Sequence, residues 1–204
     1  MKQNFGTLQK IYSFVSSSLP RLEILKENIE ESENDKSLSL KRHSDTRWSS
    51  RRRSVDAVVS CLGELHTSLV QMVEGKVPLD PSQFAEAHSL INQIESFNFH
   101  FLLHCWQKIL TASDILSKYL QSDNIDIGNA VALINGFRLE MNELRSNEKF
   151  GHFKEMATKS LGKLKPSGQT VIPTRQTKTG QDSENHLKVD VHFALQYRIA
   201  LTTS

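Results

Sequence analysis

Apolar residues recur three and four apart along most of the chain, the mark of amphipathic helices. Phe5, Leu8, Ile11, Tyr12, Val15 and Leu19 share one helical face. Ser16, Ser17, Ser18 and Pro20 interrupt it, and the restriction that proline places on its predecessor predicts a break or kink there. Leu22, Leu25 and Ile29 resume a stripe to about Glu30, and residues 31–45 are polar and read as a loop. The strongest stripe comes next: Val55, Val58, Val59, Leu62, Leu65, Leu69, Met72 and Val73, with Asp45 or Thr46 as its cap. Gly75, Pro78 and Pro81 end it, and Ser82 is the expected cap of the following helix. There Phe84, Ala87, Ile91 and Ile94 lead into FNFHFLLHCW, residues 97–106, which is apolar nearly all round. That run predicts the buried centre of a bundle, on a helix reaching Leu120 with a break near Phe97–Asn98. Ile127, Val131, Ile134, Phe137, Met141 and Leu144 mark another helix, weakened by Gly128 and Gly136. Phe150, Phe153, Met156, Ala157, Leu161 and Leu164 mark the last.

After residue 164 the pattern changes. Residues 165–186 are rich in Pro, Gly, Ser, Thr, Gln and Lys and read as a disordered basic linker. Leu187, Val189, Val191, Phe193, Leu195, Tyr197, Ile199 and Leu201 then alternate, which is a strand pattern. A lone strand leaves its backbone groups unpaired, so it needs a partner chain or a lost sheet. The predicted fold class is mainly α: an irregular bundle of five or six helices with a short C-terminal strand or frayed tail.

Composition narrows the function classes. The 204 residues carry 25 Lys and Arg against 23 Asp and Glu, a net charge of +2, so any nucleic-acid footprint must be local. The longest uninterrupted apolar run, Ala130–Ile134, is too short to span a bilayer, so no membrane partner is expected. No apolar stretch of signal-peptide type opens the chain, and two cysteines, Cys61 and Cys105, make no disulfide framework; both point to a reducing, intracellular compartment.

The densest positive stretch is LKRHSDTRWSSRRR, residues 40–53, with Lys41, Arg42, Arg47, Arg51, Arg52 and Arg53 around Trp48. Guanidinium groups fork onto phosphate oxygens, and an exposed indole is a platform for an unstacked base. The alternative places Trp48 in the bundle as an apolar anchor beside a solvated helix start. Three arginines opening a helix oppose its dipole, which favours an anion nearby. A second basic stretch, Lys159 to Gly180, reads as a solubilising linker, with at most salt-sensitive affinity for nucleic acid. His100 and His104 lie four apart with Cys105 beside them, but no third ligand is signposted; packed histidines are the simpler account, and Cys61 with His66 is weaker still. No phosphate-cradling glycine loop, nucleophile elbow or paired-cysteine zinc spacing occurs. No catalytic residue, metal ligand, cofactor or small-molecule substrate is nominated.

The run TRWSSRRRSVDAVV, residues 46–59, resembles the RW motif of hAT-superfamily transposases. FGTLQKIYSFVSSSLPR, LSLKRHSDTRWSSR, INQIESFNFHFLLHCWQKILTASDILSKYLQS and DNIDIGNAVALINGFRLEMNELR, in that order, are similar to the transposase-derived MYM-type zinc-finger and repressor-of-kinase-inhibitor proteins, to about Met156. The resemblance implies a helical insertion that splits a ribonuclease-H-like core. It implies that residues 1–30 lie at the edge of that core, 46–164 form the insertion, and 187–204 retain a core strand. It also implies a nuclear location, and for Arg47 and Trp48 a contact near a flipped base at a transposon end. The family's Cys-x-x-His motif, its acid triad and its zinc finger have no counterpart here, and Arg52 and Arg53 stand where relatives carry an aromatic residue or Asp. The expectation is a catalytically inactive transposase-like fragment with weak DNA binding. A helical protein-interaction module, with a protein partner or oligomer and no nucleic-acid role, is the alternative, and a non-functional relic is a further one.

Overall fold

The computed structural model describes residues 2–32 and 48–164. Most of the expected polar loop, the linker over 165–186 and the strand at 187–204 lie outside them. Eight α-helices occur among the described residues: α1 (Lys2–Ser16), α2 (Leu19–Glu31), α3 (Trp48–Ser60), α4 (Leu62–Gln71), α5 (Pro81–Ile94), α6 (Phe97–Leu120), α7 (Ile127–Glu143) and α8 (Asn147–Gly162). Among those residues the chain is mainly α and bundle-like, as the periodicity predicts.

Two breaks raise the helix number above the expected five or six. The long stripe over 55–73 divides at Cys61. There the Ser60 hydroxyl and the Cys61 thiol donate to the carbonyls of Asp56 and Ala57, at 2.6 and 3.1 Å. Side chains that bind carbonyls four residues back compete with the helical ladder and bend it. The second break falls at Glu95–Ser96, two residues before the expected place. Ser96 caps α6 by accepting from the Phe99 amide. The cap of α5 is a correction: Asp80, not Ser82, holds that helix start. Its carboxylate accepts from the Gln83 amide at 2.9 Å, and the Gln83 side chain accepts from the Asp80 amide, a reciprocal capping box with Pro81 behind it. α4 ends through a wide turn, Met72–Lys76, in which Gly75 takes φ +97°, a conformation open to glycine and strained for other residues. Leu19 is also corrected: it opens α2 and is exposed, rather than closing the apolar face of α1.

α6 runs through the centre, packed against α3, α8 and α7. Residues 99–106 of the predicted 97–106 run are buried, while Phe97 is partly buried and Asn98 is exposed, and Phe101 is wholly enclosed, with ring centroids 5.1 Å from Phe150 and 6.3 Å from Phe153 on α8. α1 and α2 add Leu8, Ile11, Phe14, Val15, Ile24 and Leu25 to the same core. His100 is fully buried and holds three elements together. Its Nε2–H donates to the Ile94 carbonyl at 2.8 Å, which leaves Nδ1 of the neutral ring to accept from the Ser160 hydroxyl at 2.9 Å. His66 reaches Glu95 at 2.8 Å. His104 is buried and neither ring nitrogen makes a hydrogen bond. α7 differs from the rest. Ala130, Met141 and, past its end, Leu144 are buried, while Ile127, Val131 and Ile134 of its apolar stripe are exposed.

Candidate nucleic-acid interface

The basic stretch meets the described structure at the start of α3. Lys41, Arg42 and Arg47 lie outside the described residues. Trp48 is the first residue of α3. The helix is seated by Ser54, Val55, Ala57 and Val58, all buried, which face the core and α6. No acid occupies its first turn. The positive end of the helix dipole and the arginines that follow therefore make a positive corner, where an anion is favoured by the dipole and by the side chains.

The three consecutive arginines have different surroundings. Arg52 turns back into the protein. Its Nη1 donates to Asp114 Oδ2 of α6 at 2.8 Å, and its Nε to Asp56 Oδ2 at 3.2 Å. Lys118 adds a second cation to Asp114 at 2.9 Å, and Gln107 Nε2 donates to Asp56 Oδ1 at 3.1 Å. The network bolts the first turns of α3 to the C-terminal half of α6. The hydrogen bond to Asp114 leads the forces that raise the Arg52 pKa. Burial alone would push the Asp114 carboxyl up, but bonds from Lys118 and Arg52 overcome it and hold the carboxyl below its ordinary value. Arg51 is half-buried and has a partner of its own. Arg53 is exposed, and among the described residues its one hydrogen bond runs from Nε to the Ser49 carbonyl at 3.3 Å, within its own helix. Of the three arginines, then, Arg53 is the one presented to solvent, while Arg52 is committed to two carboxylates.

Periodicity did not identify Asp56, Gln107 or Asp114 as part of this corner. Asp114 has one local signal, an acid four residues before Lys118 on the same helix. Its partner across the fold, 62 positions away, has none.

The histidine and cysteine candidates do not assemble. Among the described residues no three His, Cys, Asp or Glu side chains are grouped to hold a metal ion. Burial lowers the pKa of His100 and of His104; at His104 the nearby Gln107 side chain favours the proton without forming a bond. Burial also pushes the Cys61 thiol up to about 12 and the Cys105 thiol higher still, so neither is a ready nucleophile or ligand. Among the described residues no helix is long and apolar enough to cross a membrane.

No protein-family model matches the chain, and no curated protein or solved structure is similar enough to match it.

Proposed function

We propose that this protein is a non-catalytic helical module that binds DNA weakly through the N-terminal corner of α3. It would belong, as its RW-like run suggests, with the helical insertion of hAT-type transposases and would act in the nucleus. One observation carries the reading: Arg52 is fixed to Asp114, which anchors α3 and leaves Arg53 exposed near the start of a helix that Trp48 opens and whose first turn holds no acid. A residue that positions the helix thus sits next to one free to meet a phosphate. Arg47, Lys41 and Arg42 would extend the positive surface, and Trp48 would stack on an unpaired base. Arg51 and Arg52 move from direct contact to support.

The test is a titration of a labelled DNA hairpin carrying an unpaired base. Arg53→Ala and Trp48→Ala each weaken binding about tenfold, equivalent to about 1.4 kcal/mol. Affinity falls as salt rises, because each neutralised phosphate releases counterions. Binding that is absent, or indifferent to both substitutions, refutes the proposal. The exposed apolar residues of α7 favour a second reading, a protein-interaction module, which predicts no salt-dependent DNA affinity.

A further inference from the structure

We infer that α7 is a self-association surface: it pairs antiparallel with α7 of a second copy of this chain, about a two-fold axis at Val131. The inference is independent of the DNA reading.

The apolar arc of α7 is wider than its contact with the bundle. Ala130, Phe137 and Met141 face the core, and Ile127, Val131 and Ile134 form a second row at four and three residue spacings on the adjacent flank. Those three are 78%, 52% and 40% exposed. A seam alternating four and three is what two paired helices bury between them. Isolated exposed aliphatics are ordinary, but three in register on one flank are not a scatter.

Charge selects the occupant. The row continues into Arg138, which is exposed and makes no ion pair among the described residues, and Arg145 lies two turns further along. The opposite end carries Asp123 and Asp126. An antiparallel partner centred on Val131 brings Arg138 of each copy level with the 123–126 turn of the other, so two cation–carboxylate clusters close the two ends of the apolar seam. The same arrangement sets the helix dipoles in opposition. A parallel partner would stack Arg138 on Arg138. Each surface thus complements itself, as a two-fold interface requires. Pairing along about 25 Å of helix covers on the order of 500 Å² per copy, below the roughly 800 Å² of standard interfaces, so a weak, reversible dimer is expected.

The full chain is examined by sedimentation velocity over a concentration series, beside Val131→Asp and Val131→Cys. Val131 is half-exposed, so both variants keep the helical signal of the parent. The parent shows reversible dimerisation, Val131→Asp weakens it at least tenfold, and Val131→Cys forms a covalent dimer with diamide, each pair of thiols losing two hydrogens to the oxidant. The parent does not cross-link, because Cys61 and Cys105 are buried. A parent that stays monomeric at every attainable concentration overturns the inference, as does a dimer indifferent to Val131→Asp. A monomeric parent in which Val131→Asp exposes residues 165–204 to protease also overturns it, and assigns the flank to the chain's own C-terminal segment.

Discussion

The pairing of Arg52 with Asp114 gives the sharpest energetic prediction. Asp114→Asn keeps the shape of the side chain and removes its charge. The Lys118 side chain is 70% exposed, so that arm contributes about 0–1 kcal/mol after solvent screening. The Arg52 arm joins a side chain 5% exposed to one 32% exposed, between a surface pair and a buried one. A charge-assisted hydrogen bond in that setting contributes about 1.5–3 kcal/mol. The expected loss for Asp114→Asn is therefore about 2–3 kcal/mol. Arg52→Ala costs slightly less, about 1.5–2.5 kcal/mol, because Asp114 keeps Lys118. The two losses do not add: the double variant reveals a coupling of about 1–2 kcal/mol. Urea unfolding followed by far-UV circular dichroism near neutral pH measures all four corners of the cycle. The coupling also has a pH signature. The carboxyl is held below its ordinary value of 3.8, so its contribution is complete above that pH and disappears as pH falls through the lower native value. Single losses under about 0.5 kcal/mol that add without coupling would refute the claim that Arg52 anchors α3.

Phe101→Ala empties the centre of α6 where it meets Phe150 and Phe153, and costs about 3–5 kcal/mol by the same unfolding assay. Gly75→Ala forces a side chain into φ +97° and destabilises by about 1–2 kcal/mol with no change in helix content. Burial lowers the native pKa of His100 and His104 below 6.5, so stability is full above pH 6.5 and falls below it, as the unfolded chain takes up protons the folded one refuses. The slope reaches about 1.4 kcal/mol per pH unit for each ring, and thermal melts across that range show it shrinking in His104→Phe.

The sequence shows most of the helical architecture because the apolar stripes that define the helices are also the ones that build the core. FNFHFLLHCW is the clearest case: a run apolar on all sides is stable only in the middle of a bundle, and there it lies. The divisions were harder to read. Cys61 interrupts a stripe whose periodicity continues without a fault, because hydroxyl and thiol bonds to the preceding turn leave no trace in hydrophobic spacing. At α5 a hydroxyl at Ser82 points to the wrong cap, because Asp80, Pro81 and Gln83 together form a capping box two residues earlier. α7 shows the reverse problem. Its stripe predicts a helix correctly, but periodicity alone does not say that half the stripe faces solvent. At the α3 corner, composition marked three arginines as equivalent. Arg52 is separated from Arg53 by Asp114, which only folding brings near.

The central claim is that the N-terminal corner of α3 meets DNA, and backbone-amide NMR tests it most directly. The hairpin with an unpaired base is titrated into the labelled chain, and amide shifts are followed residue by residue. The account predicts shifts concentrated at Trp48–Arg53, diminished by added salt and by Arg53→Ala, with the amides around Asp114 little changed. Shifts that are absent, or centred on another face while Trp48–Arg53 stay still, would contradict it.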